Sequence, residues 1–107
     1  MYSLKDVQKD VHREIDRDFR SRYMYEIKCM LFMGLAEEAG EVAGLGKRMI
    51  RGYDKDIQRF TMTNIAEELG DVLWYLAGVA DTFGLSLDDI WKQNRDKLEA
   101  RYGSASK

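Results

Sequence analysis

The stretch Leu35-Ala-Glu-Glu-Ala-Gly-Glu-Val42 decides how the chain is read, together with Ala66-Glu-Glu-Leu-Gly-Asp-Val72. Leu31, Leu35, Val42, Leu45 and Met49 recur at spacings of three and four, which is one face of a helix, and Glu38 occupies the middle of that stripe. Glu41 borders it one turn later. In the second stretch Ile65, Val72, Val79 and Phe83 outline a similar stripe, with Glu68 inside it and Asp71 one turn on. Two helices packed side by side on these faces bring Glu38, Glu41, Glu68 and Asp71 to the edge of an apolar interior. Carboxylates there must be protonated, paired with Lys or Arg, or neutralised by a metal, because moving one unpaired into low dielectric costs several kcal/mol. A site built only of carboxylates suits hard cations, Mg²⁺ first and Mn²⁺ as a substitute. Mg²⁺ commonly shares its shell with phosphates.

At these residues the sequence resembles the MazG-like, all-α nucleoside triphosphate pyrophosphohydrolases, whose signature is E-E-x-x-E followed by E-x-x-D. Here it reads Glu37-Glu38-x-x-Glu41 and Glu68-x-x-Asp71, and the resemblance covers residues 27 to 103. It implies cleavage between the α- and β-phosphates, giving a nucleoside monophosphate and pyrophosphate. It also implies symmetric dimers or dimers of dimers. Tyr75, one turn past Asp71, matches a family position that faces the nucleotide. Asn94, Lys97 and Arg101 resemble a closing segment whose side chains reach the phosphates, although Gly103 stands where the family often has proline. Glu38, Glu41, Glu68 and Asp71 are the expected metal ligands, and Glu37, Glu38 and Glu67 are the expected catalytic carboxylates, of which Glu37 or Glu67 orients or deprotonates the attacking water.

The rest of the chain agrees with an all-α domain. It has no proline, and Glu, Lys, Arg, Leu, Met and Ala are abundant. At 107 residues it is one domain spanning 1–107, with a frayed tail at 104–107. So small a domain has a modest core, and a homo-oligomer interface is expected to complete the four- to five-helix bundle. The net charge of −2 and the lack of a basic stripe give no general attraction for nucleic acid. Cys29 is the single cysteine, which excludes an internal disulfide and a thiolate metal site and fits a reducing cytoplasm. No leader and no apolar run of membrane-spanning length is visible, so a cytoplasmic protein that does not engage membranes is expected.

In chain order, Ser3 with Asp6 forms a capping pair for a helix over 4–19 that carries His12 without any metal-binding spacing. Residues 20–26 join it to a second helix over 26–49, and their Arg22, Tyr23 and Tyr25 are candidates to meet a nucleotide or simply a solvated connection. Gly34, Gly40, Gly44 and Gly46 lie inside the second helix, where glycine costs about 1 kcal/mol each, so a close approach by another helix or a ligand is expected. Lys47, Arg48 and Arg51 suit its carboxyl end or a triphosphate. Gly52 ends it and residues 53–60 form the connection. Thr61 or Thr63 caps a third helix reaching Phe83, whose uncharged run Val72–Ala80 predicts burial on all sides, with Trp74 in the core. Ser86 and Asp89 cap a fourth helix ending before Gly103.

Two readings compete with a nucleoside triphosphate pyrophosphohydrolase. The same acids serve the related phosphoribosyl-ATP pyrophosphatases and dUTP- or dCTP-hydrolysing enzymes. A non-enzymatic helical module would instead pair them with Lys47, Arg48 or Arg51. A di-iron bundle needs E-x-x-H motifs, and the chain has none. It also lacks a G-x-x-x-x-G-K-[ST] loop, which leaves phosphate binding to metal.

Overall fold

A computed structural model describes residues 1–51 and 62–103, which form four α-helices. They are α1 (Leu4–Asp18), α2 (Met24–Ile50), α3 (Met62–Thr82) and α4 (Leu87–Tyr102). Among the described residues there is no strand, so the all-α expectation holds. Among the described residues no helix is long and apolar enough to cross a membrane.

Helix α1 starts as its sequence dictates. The Ser3 hydroxyl accepts the Asp6 backbone N–H at 3.2 Å while the Asp6 carboxylate accepts that of Ser3 at 3.0 Å, a reciprocal capping box. Helix α2 begins at Met24, earlier than expected, with Tyr23 as a cap that makes no side-chain hydrogen bond. Tyr25 therefore lies inside the first turn of α2 and not in a connection. Thr63 is likewise a helical residue of α3 and not its cap, while Thr61, Gly52 and the expected 53–60 connection and 104–107 tail lie outside the described residues. Gly84, at φ +69°, ends the α3 segment in the left-handed region that favours glycine, and the Ser86 hydroxyl accepts from Asp89 N–H at 3.0 Å to open α4.

Helix α3 is central, packing on α2 along one face and on α1 along another. The core consists of Val11, Ile15, Ile27, Leu31, Ala77, Ala80 and Leu87, with Trp74, Tyr75 and Val79 packed against it. Burial of Val72–Ala80 on all sides is not met within one chain: Leu73 and Leu76 remain 37% and 39% exposed. Among the described residues no element covers their helix face. Polar ties fix α1 against the end of α3: the Gln8 side chain donates to Leu85 O at 2.6 Å and accepts Leu87 N–H at 3.0 Å. His12 Nδ1 meets Asp81 at 2.7 Å, and Trp74 Nε1 donates to Glu14 at 2.6 Å.

Candidate metal centre

Helices α2 and α3 run antiparallel. Leu31 packs on Gly78 and Gly34 receives the ring of Tyr75, so Glu38, one turn beyond Gly34, comes level with Asp71, one turn before Tyr75. Glu68 precedes Asp71 by one turn on the same face. The result is a group of three acids: a carboxylate oxygen each from Glu38, Glu68 and Asp71, all within 4.8 Å of one another. Glu38 and Glu68 are half-buried and Asp71 is exposed.

Crowding shows in the acid at its centre. Loss of solvent pushes the Glu38 carboxyl above the ordinary range, and the charges of Asp71, Glu37, Glu68 and Glu41 push it the same way. Among the described residues no Lys or Arg forms an ion pair with any of the three acids; the pairs present are local ones such as Arg13–Asp10, Arg17–Asp18 and Lys92–Asp96. Lys47, Arg48 and Arg51 therefore do not neutralise the group. Three hard oxygen donors without a counter-charge among the described residues fit a small divalent cation such as Mg²⁺ or Mn²⁺.

The expected site residues do not all converge. Glu41 is exposed and stands outside the three-acid group, though its charge reaches Glu38. Glu37 and Glu67 adjoin Glu38 and Glu68 in sequence and are exposed. The ring of Tyr75 sits in the α2–α3 seam against Gly34 and lies 5.0 Å, edge-on, from that of Trp74. Asn94 is half-buried and Lys97 and Arg101 are exposed on α4, which packs on α1. Of the four glycines in α2, Gly34 meets a close neighbour, whereas a side chain at Gly40 or Gly46 would enter open space.

Sequence reasoning gave His12 no role, yet its ring is held by Asp81, which raises its pKa. No local spacing announces a pair 69 residues apart. The two line a cavity of about 300 Å³ with Lys5, Lys9 and Ser86. That cavity is distinct from the acid group, since Asp81 lies about 15 Å along α3 from Asp71.

Comparison with known proteins agrees with this geometry. The family model described as MazG nucleotide pyrophosphohydrolase domain matches residues 29–104, which include all three acids. The Gene 37 protein of Mycobacterium phage L5 is 38% identical over 69 residues, covering 64% of this chain and 60% of that protein. The uncharacterised protein YvdC of Bacillus subtilis (strain 168) is 36% identical over 80 residues, covering 66% of this chain and 72% of its own. The match thus spans about 60% of the length of the phage relative. No solved structure matches the chain. With a family model covering most of its length, the chain belongs to the MazG nucleotide pyrophosphohydrolase domain family.

Proposed function

We propose that the chain hydrolyses nucleoside triphosphates, ribo- or deoxyribo-, between the α- and β-phosphates. Water attacks the α-phosphorus, the bond from that phosphorus to the bridging oxygen breaks, and nucleoside monophosphate and pyrophosphate leave. The observation that carries this reading is the group of Glu38, Glu68 and Asp71 oxygens within 4.8 Å, with no cation of the described chain beside it.

Glu38, Glu68 and Asp71 would hold Mg²⁺, or Mn²⁺ in its place, with Glu41 close enough to add charge. Bound there, the ion would offset the charge of the triphosphate and make water a better nucleophile. The chain's own work is then positional. Gly34 and Tyr75 set the separation of α2 and α3 one turn from the acids. Glu37 or Glu67, exposed beside the group, orients the attacking water and takes its proton. Tyr75, Asn94, Lys97 and Arg101 are assigned to the nucleotide and its phosphates. We assign the protein to the cytoplasm, as a homodimer or dimer of dimers, acting on free nucleotides and not on nucleic acid or membranes.

The test is pyrophosphate release from a panel of ribo- and deoxyribonucleoside triphosphates with Mg²⁺ and with chelator, with Asp71→Asn alongside. Metal-dependent release lost in Asp71→Asn supports the reaction, and preference for dUTP, dCTP or phosphoribosyl-ATP points to the related substrate classes. Absence of release together with no effect of Mg²⁺ on melting would leave the helical interaction module as the better reading.

A further inference from the structure

Helix α1 is amphipathic, and one flank of its apolar stripe carries Lys5, Lys9 and His12 at spacings of four and three. Gln8 lies on the same flank and fastens it to the turn between α3 and α4: its side chain donates to Leu85 O at 2.6 Å and accepts Leu87 N–H at 3.0 Å. One turn on, His12 Nδ1 meets Asp81 at 2.7 Å. Gly84, in the left-handed region at φ +69°, lets the chain double back so that Ser86 stands beside α1. These two polar clamps bracket the cavity of about 300 Å³, with Lys5, Lys9 and His12 on its α1 side and Asp81, Ser86 and Asp88 on the other. Small-molecule sites begin at about that volume.

The charges around this cavity are unequal. Arg13, Arg17 and Arg20, the other cations of α1 and its end, are each paired, with Asp10 at 2.9 Å, Asp18 at 2.7 Å and Asp16 at 3.8 Å. Lys5 and Lys9 form no ion pair among the described residues. Asp81 is engaged by His12, and its hydrogen bond and charge raise the pKa of the imidazole, which keeps the ring cationic to higher pH. The remaining acid, Asp88, is exposed. Ser86 is the N-cap of α4, so the positive end of a 16-residue helix opens on the same space. In the first turn of α4, Leu87 N–H is taken by Gln8 and Asp89 N–H by the Ser86 hydroxyl, while Asp88 N–H has no acceptor among the described residues. Two unpaired ammonium groups and a helix N-terminus match a phosphate dianion in charge and in donors. A water molecule takes about 30 Å³ of liquid, so the cavity has room for more than the phosphate group, and Asp88 offers an acceptor for hydroxyls on the rest of the ligand.

We propose that this cavity is a second ligand site, for a small phosphomonoester whose phosphate lies on Lys5 and Lys9 at the N-terminus of α4 and whose hydroxyls reach Asp88. The site stands about three turns of α3 beyond Asp71 and binds through the chain's own cations, without a metal. It therefore does not rest on the reaction proposed above.

Proton NMR of His12, the only histidine, reads occupancy at this cavity and not at the acid group. Ribose 5-phosphate and inorganic phosphate are titrated in turn, in chelator and at constant pH and ionic strength, with ribose and sodium chloride as controls. Ribose 5-phosphate is expected to move the ring signals saturably, inorganic phosphate to bind more weakly, and ribose and chloride to have no effect. The Lys5→Gln/Lys9→Gln double variant, at two exposed helical positions, should weaken ribose 5-phosphate binding at least about tenfold with unchanged helical circular dichroism. Lys5→Arg/Lys9→Arg should keep it, and Asp71→Asn should leave it unchanged. No saturable shift with either phosphate, the same shift with chloride, or full affinity in the Lys→Gln variant overturns the proposal. Equal affinity for the two phosphates overturns the phosphomonoester in favour of free phosphate.

Discussion

The ring of Tyr75 lies directly on the backbone of Gly34, so close that a Cβ at that glycine would come within 2.6 Å of Tyr75 Cζ. Tyr75 is one turn past Asp71 and Gly34 one turn before Glu38, so this contact sets how near α2 and α3 come where the acids meet. Gly34→Ala should therefore displace the ring or part the helices, costing about 1–3 kcal/mol of stability and at least about tenfold in turnover. Denaturant midpoints and pyrophosphate release measure both. In a Tyr75→Ala background the same substitution should cost much less, because the clashing ring is gone; additive effects would contradict the coupling.

Glu38 should make the metal-free protein less stable as pH rises. Its folded pKa is raised, first by loss of solvent and then by the neighbouring acids. The stability it contributes is therefore fully present below its unfolded pKa and lost as pH climbs through the higher folded value. In chelator, Glu38→Gln should melt no lower than wild type near neutral pH, show a flatter profile above about pH 4.5, and gain less from Mg²⁺. A variant that melts well below wild type at neutral pH would show that the acids are not in conflict.

His12 gives an independent titration. Its hydrogen bond to Asp81 and that carboxylate's charge raise its pKa from 6.5, so the pair stabilises fully below the unfolded pKa and the contribution disappears as pH rises through the folded one. The His12 side chain is 68% exposed, which limits the effect to under about 1 kcal/mol. As His12 is the only histidine, proton NMR of its ring reads the pKa directly. Asp81→Asn should lower it; an unchanged midpoint would mean the pair does not form in solution.

Trp74 ties α3 to α1 through its indole N–H on Glu14. Trp74→Phe keeps most of the ring packing but leaves a half-buried carboxylate without that donor, and should cost about 1–2 kcal/mol in thermal or chemical unfolding. Restoring most of that loss by a second change, Glu14→Leu, would separate the unpaired charge from the lost ring area.

How much of this the sequence carried depended on the range of the interaction. Glu38, Glu68 and Asp71 were legible because each interrupts an apolar stripe whose period is local, and stripes of that kind meet when helices pack. Glu41 follows the same spacing yet stands outside the three-acid group, because periodicity places a residue on a face and does not fix its distance from the neighbouring helix. The seat of Tyr75 on Gly34 depends on interhelical distance, which no spacing encodes. His12 with Asp81 and Trp74 with Glu14 join residues more than fifty positions apart and left no local mark. The early start of α2 at Met24 escaped because Tyr23 caps it without a side-chain hydrogen bond.

The most direct test of the metal centre is binding of Mn²⁺, followed by electron paramagnetic resonance, in wild type, Glu38→Gln and Asp71→Asn. Strong binding in wild type, competed by Mg²⁺ and weakened at least about tenfold in both variants with helical content unchanged, is the predicted result. Equal binding by all three proteins would contradict the assignment of the cation to Glu38, Glu68 and Asp71.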